Sequence, residues 1–205
     1  ALFMVLQARH GPDWTEWPQA MARRDPRALL SVQDEAAVEL GFWHFVQWRF
    51  HVQWQRLREE AHGRGIHIVG DVPIFVAHQS ADVWAHADQF LLDAQGLPDV
   101  VAGVPPDYFS ATGQRWGNPL YRWDRMALDG YRWWKLRMAH LLTLVDVARL
   151  DHFRGFEANW EIPANEPTAQ GGHWCPGPGR AFFQSIREEL GTLPIIAEDL
   201  GIITE

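Results

Sequence analysis

Apolar positions recur at helical spacing between residues 31 and 62, where Phe42, Phe45, Val46, Trp48 and Val52 fall on one broad face. Ser31 and Asp34 stand where N-caps are expected, and Gly63 and Gly65 mark the stop. The pattern then changes to a short branched run, residues 66–71 (IHIVGD), which predicts a buried strand of the parallel-sheet kind ending in a carboxylate. Ser80 predicts a capped short helix over 80–87. From Phe90 to Asp129 the periodicity fades while Gly, Pro and aromatics accumulate, so this stretch reads as a long excursion. Helical spacing returns through Trp134, Met138, Leu141 and Leu142. A strand is predicted over 145–151, an irregular stretch over 155–178, a helix through Phe182, Phe183, Ile186 and Leu190 that stops at Gly191, and a third strand over 194–198.

Helix and strand alternate, and Asp71, Asp151 and Glu198 each stand where a strand ends. Alternation of this kind predicts an α/β fold with parallel strands and helical crossovers, whose active site lies beyond the C-terminal strand ends. No internal repeat, low-complexity tract or linker divides the 205 residues.

Composition narrows the function. Hydrophobic residues make up 47% and charged residues 21%, which is globular rather than disordered. No apolar run reaches the roughly 18 residues of a membrane helix, so no membrane partner is expected. A net charge of −8 gives no support for nucleic acid, whose phosphates need a basic surface. The single cysteine, Cys175, excludes an internal disulfide framework and a multi-cysteine metal site, and it fits a reducing, cytoplasmic setting. The ten histidines show no metal-ligand spacing, so neither metal nor cofactor is expected. Twelve tryptophans are unusual. Core packing accounts for such residues, but indole faces also stack on pyranose rings, and clustering outside helical periodicity favours sugar.

Three short constellations carry candidate chemistry. In Arg149-Leu150-Asp151-His152, residues two apart on a strand face the same way, so Arg149 and Asp151 point together, and the guanidinium keeps the carboxylate ionised as a nucleophile requires. An ordinary buried Arg–Asp pair has the same sequence. In Ala197-Glu198-Asp199-Leu200-Gly201 a Glu in a partly apolar pocket serves as a proton donor, or else Asp199 caps a helix and Glu198 is an ion-pair partner. Asp71 accepts hydrogen bonds from sugar hydroxyls or caps its own loop. Paired carboxylates flanking a bond are the usual equipment for glycoside hydrolysis or transfer, about 5–5.5 Å apart in the retaining form. No GxGxxG, phosphate loop, HExxH or G-x-S-x-G occurs to support competing chemistries.

Four blocks carry a resemblance: residues 70–77 (GDVPIFVA), 103–121 (GVPPDYFSATGQRWGNPLY), 149–156 (RLDHFRGF) and 197–201 (AEDLG). With 45–48 (FVQW) and 160–163 (WEIP), they make the chain similar to glycoside hydrolase family 77, the 4-α-glucanotransferases. The resemblance implies a (β/α)₈ barrel with long insertions in its βα loops. It implies transfer of α-1,4-glucan segments to the 4-hydroxyl of glucose or maltooligosaccharide acceptors, without a cofactor. It assigns Asp151 as nucleophile, Glu198 as acid/base and Arg149 as the residue that orients the nucleophile. Asp71 and His152 fall on the donor side, Tyr108 and Trp116 on a loop overhanging the acceptor, and Asp107 and Asn118 among further substrate contacts. Gln79 and Asn159 depart from the family's usual Asp and Tyr.

The resemblance also implies a third essential carboxylate, in a His-Asp pair on a later strand. A complete barrel takes about 250 residues. The expectation is therefore that residues 1–205 form the central part of one catalytic barrel, truncated at both ends and inactive alone. The rivals are a hydrolytic α-glucosidase or amylase of the same clan and a non-catalytic glucan-binding protein.

Overall fold

The computed structural model describes residues 1–198 of the chain. In order, the elements are α1 (Leu2–His10), α2 (Gln19–Ala22), α3 (Pro26–Glu35), α4 (Ala37–Gly63), β1 (Val69–Pro73), α5 (Ala81–Ala85), β2 (Val100–Val104), β3 (Gln114–Pro119), α6 (Trp123–Leu128), α7 (Arg132–Leu144), β4 (Val147–Asp151), β5 (Ala158–Pro163), β6 (His173–Pro176), α8 (Gly179–Leu190) and β7 (Ile195–Ala197). Two sheets result. One is parallel, in the order β1-β4-β7; the other is antiparallel, in the order β3-β2-β5-β6. No helix among the described residues is long and apolar enough to cross a membrane.

The single helix expected over 31–62 is two helices. α3 starts earlier, where the Asp25 side chain accepts the Arg27 and Ala28 amides and Pro26 occupies the first turn. Ser31 and Asp34 are inside α3 rather than capping it, and the Ser31 hydroxyl bonds Glu35. The break falls at buried Ala36, whose φ of −105° and ψ of 25° leave the helical region. The stop is where the glycines placed it. Gly65, at φ 71°, lets its own N–H reach the His62 carbonyl and the Ile66 N–H reach the Ala61 carbonyl, the paired closure of a Schellman motif.

The apolar face of α4 is not buried by any of the described residues. Phe42, Phe45 and Trp48 are each more than half exposed. The C-terminal end of α4 is fastened instead. Arg58 and His62 reach Asp146 at 2.6 and 2.8 Å, and the Ile68 N–H donates to it at 2.8 Å. The Ile68 amide first, then these two side chains, hold Asp146 well below the usual carboxylate range.

β1 lies two to three residues later than expected, because the chain leaving Gly65 must first turn past Asp146. The parallel strands are less buried than their branched composition implied: Val69 and Ile196 are about half exposed. β4, between its two partners, shows the alternation, with Ala148 and Leu150 buried and Arg149 and Asp151 on the other side.

The two stretches expected to be irregular supply the second sheet. β2 and β3 come from the first, β5 and β6 from the second, and Val101 pairs Ile162 across them. The register of β2 on β3 shifts between Val101 and Gly103, a bulge. Val101, Ile162 and Ala169 make a small core of their own beneath it.

The main core is aromatic. Phe90, Tyr121, Trp134, Phe156 and Phe182 are buried and meet at ring separations of 4.8–5.6 Å. Trp14, Trp17, Trp84, Trp133 and Trp134 are all buried, so core packing, not sugar stacking, accounts for these five. Gly70 shows how tightly β1 is seated. A β-carbon there would stand 2.5 Å from Cγ1 of buried Val145. Gly70→Ala is therefore expected to lower the stability of the intact protein by about 1–3 kcal/mol, because a β-branched neighbour cannot swing aside. The midpoint of denaturant unfolding measures it, and an unchanged midpoint would show that Val145 yields freely.

Candidate active site

The parallel pairing fixes the first contacts. Asp71 on β1 is in register with Arg149 on β4, and Pro73 with Asp151. Pairing of β4 with β7 continues one step beyond β7, where the Glu198 N–H donates to the Leu150 carbonyl at 3.1 Å. Asp151 and Glu198 thus arrive at the C-terminal ends of β4 and β7, whereas Asp71, expected to end its strand, is the middle residue of β1 and stands beside Arg149.

One guanidinium gathers them. Arg149 Nη1 donates to both Asp71 oxygens at 2.7 and 2.8 Å and to Asp151 Oδ1 at 3.1 Å. Its Nη2 reaches Glu198 Oε1 at 3.0 Å. Asp151 and Glu198 therefore hang on the two terminal nitrogens of a single guanidinium. The Asp71 bond, with the charges of Glu198 and Asp151, outweighs partial burial and holds Arg149 above its ordinary value.

The other Glu198 oxygen accepts the backbone N–H of His152. His152 adopts a left-handed conformation, φ 52°, which turns its amide toward the neighbouring strand. Glu198 consequently stands among donors rather than in the partly apolar pocket the sequence pointed to. The His152 ring packs edge-on against Trp116 at 4.8 Å, with Phe75 at 6.2 Å. Burial, helped by the charge of Arg154, outweighs the pull of Asp151 and pushes His152 below its ordinary value. Its Nε2 is buried with no protein partner among the described residues.

The remaining candidates divide. Trp116 flanks His152 and is fixed by its own N–H to Gln114 at 3.0 Å. Asn118 donates to the Val76 carbonyl at 3.0 Å, tying β3 to the segment that follows β1. Asp107 spends one oxygen on the Phe109 and Ser110 amides, at 2.9 and 2.8 Å, closing the tip of the β2–β3 excursion. Tyr108, 90% exposed, rests on Phe109 at that tip. Neither Asp107 nor Tyr108 hydrogen-bonds the carboxylate cluster among the described residues. Gln79 accepts the Trp14 amide, and buried Asn159 donates to Glu161 at 3.1 Å. Asp199, Leu200 and Gly201 of the fourth block lie outside the described residues.

Sequence reasoning passed over Arg137. From α7 it donates to the Pro73 and Ile74 carbonyls at 2.8 and 3.3 Å while stacking on Trp133 and Trp134, and so clamps the end of β1 below Asp71. The i, i+3 and i+4 spacing of these residues on a helix is the signal that could have found it. Two further groups escaped notice because tertiary structure alone assembles them: His62, His67 and Asp146, and Glu161, His173 and Cys175.

With this geometry in place, comparison with known proteins adds the lineage. The family described as 4-alpha-glucanotransferase, glycoside hydrolase family 77, matches residues 1–205. The chain belongs to glycoside hydrolase family 77. A 4-alpha-glucanotransferase of Thermus thermophilus is 53% identical over the whole chain, which covers 41% of that protein. A 4-alpha-glucanotransferase of Synechocystis is 48% identical, again over the whole chain and 41% of the relative. Among solved structures, amylomaltase from Streptococcus agalactiae in complex with acarbose superposes with a TM-score of 0.96 at 40% identity, over all of this chain and 42% of that one. The chain thus spans about two fifths of the length of these family 77 relatives, and its mixed parallel and antiparallel architecture is the one found in the solved amylomaltase.

Proposed function

We propose that the protein carrying this chain is a 4-α-glucanotransferase that moves α-1,4-glucan segments onto the 4-hydroxyl of glucose or a maltooligosaccharide by a retaining double displacement. The observation that carries the reading is the single Arg149 guanidinium that holds Asp151 and Glu198 side by side at adjacent strand ends. Asp151 attacks the anomeric carbon while Glu198 protonates the departing oxygen; Glu198 then takes the proton of the incoming hydroxyl. Arg149 positions both carboxylates. Asp71, with both oxygens toward Arg149 and its side chain open to solvent, and His152, whose buried Nε2 has no partner among the described residues, lie on the donor side. Trp116, edge-on against His152, stands where that side meets the excursion bearing Asp107, Tyr108 and Asn118, which serves the acceptor. A sugar-filled, water-poor acceptor side favours transfer over hydrolysis. That the related amylomaltase was solved in complex with acarbose supports glucan-like ligands for this protein.

The same reading extends to architecture. β1, β4 and β7 are consecutive-type staves of a (β/α)₈ barrel, and residues 1–205 form the central part of that one catalytic domain. Among the described residues the apolar face of α4 is uncovered and the outer edges of β1 and β7 are unpaired, which supports this, since a closed barrel leaves no open edge. A cytoplasmic location fits the cysteine content of the sequence.

Incubation with maltotriose tests the function. The full-length protein is expected to yield maltooligosaccharides longer than the substrate together with glucose, and the isolated 205-residue chain is expected to yield neither. Glucose and maltose alone would assign a hydrolase; binding without any product would assign a glucan-binding protein.

A further inference from the structure

We propose that Glu161, His173 and Cys175 form a binding site for a borderline divalent transition metal, of the Zn²⁺ class, on the outer face of the β5–β6 hairpin. The antiparallel register places it. Glu161 is directly opposite His173, and Asn159 is directly opposite Cys175. Residues two apart share a face, so all four side chains stand on one side of a two-stranded ribbon. The carboxylate, imidazole and thiol ligand atoms all lie within 4.8 Å of one another.

The donor set selects the ion. Sulfur and imidazole nitrogen suit zinc and its neighbours, whereas magnesium and calcium take oxygen. Bond lengths of about 2.0–2.3 Å put tetrahedral ligands roughly 3.5 Å apart. Exposed His173 has the freedom to close the trio to those distances. The carboxylate is already aimed: buried Asn159 donates to Glu161 Oε1 at 3.1 Å, the kind of outer-shell bond that orients a metal ligand. Three protein ligands leave a fourth position for water or a small anion.

The other trio is a poorer candidate, because Asp146 is already neutralised by Arg58 and held by the Ile68 amide. At the hairpin no cation pairs with Glu161 among the described residues. Trp174, between His173 and Cys175 in sequence, points to the other face, where the Arg154 guanidinium lies 4.1 Å from its ring centroid. Burial, then the bond and charge of Glu161, push the Cys175 thiol up to about 11. A cysteine thiol is in any case mostly protonated at neutral pH. Binding converts Cys–SH and M²⁺ into a metal thiolate and one proton released to buffer.

Titration of the intact protein with Co²⁺ alone, at neutral pH, tests the site. The expected result is a thiolate-to-cobalt charge-transfer band that saturates at one ion per chain, with about one proton released, and that Zn²⁺ abolishes by displacement. Cys175→Ser is expected to remove the band, and His173→Ala and Glu161→Gln each to weaken Co²⁺ binding by roughly tenfold or more. His173 is exposed, so its replacement tests coordination without disturbing the core. No saturable band, a band that survives Cys175→Ser, or affinities unchanged in both His173→Ala and Glu161→Gln would each overturn the proposal. This outcome is independent of the transferase reading, which the maltotriose assay decides.

Discussion

Asp151→Asn is expected to reduce turnover of the full-length protein on maltooligosaccharides by roughly four to six orders of magnitude, with little change in their affinity. The replacement is nearly isosteric. Its amide oxygen can still accept from Arg149 Nη1, the contact that Asp151 makes at 3.1 Å, so the local arrangement of β4 is kept. What is lost is the negative charge that, on the proposed mechanism, attacks the anomeric carbon. A donor with a good leaving group, such as an α-glucosyl fluoride, should not restore activity, because departure of fluoride is no help without a nucleophile. Turnover measured on both donors, beside calorimetric affinity for a maltooligosaccharide, checks this. A loss below tenfold would remove Asp151 from the reaction.

Glu198→Gln is expected to cost about 10² to 10⁴ in turnover on glucans, the usual worth of a positioned acid/base. Here the fluoride donor separates two causes. Both Glu198 oxygens accept from donors, Arg149 Nη2 on one side and the His152 amide on the other. The amide group of Gln must face one of these donors with its own, so some loss of geometry is built into the variant. Lost geometry would depress fluoride and glucan alike. Loss of the proton alone spares formation of the glycosyl-enzyme from the fluoride, which needs no protonation, and impairs the later step that needs a base. Mass spectrometry should then find one glucosyl unit retained on the peptide containing Asp151. Equal deficits in the first step, fluoride release against glucan cleavage in a single turnover, would show that Glu198 is not the acid.

Much of this site is legible in the sequence because its parts end short branched runs. Asp151 and Glu198 each end such a run, and parallel pairing brings the ends of adjacent strands together; Asp71 lies in the middle of β1, because the strand starts later than its branched run suggests. The shared guanidinium is only half legible. Period two puts Arg149 beside Asp151, but its reach to Asp71 and Glu198 depends on the order β1-β4-β7. The second sheet was hidden because its strands are four to six residues long, carry Gly103, Gly117 and terminal prolines, and pair over some sixty positions, as Val101 does with Ile162. The break at Ala36 has no sequence marker, since alanine favours helix and only its backbone angles end α3 there. The face of α4 was read correctly as apolar, but periodicity says which side of a helix is apolar, not what covers it. Asp107 and Asn118 sit in the most distinctive block, and only coordinates reveal that both hold backbone groups.

The Arg149 hub has an imbalance that bears on inhibitor choice. Three acids converge on one permanent cation, and even with Glu198 carrying a proton the cluster keeps an excess negative charge. An enzyme gains rate only from interactions that strengthen as the reaction proceeds, and glycosyl transfer passes through an oxocarbenium-like state with positive charge on the ring. The electrostatics of the ground state are therefore mismatched to a neutral sugar and matched to that state. A ring-nitrogen sugar mimic, protonated at neutral pH, should accordingly occupy this cleft far more tightly than glucose of the same shape.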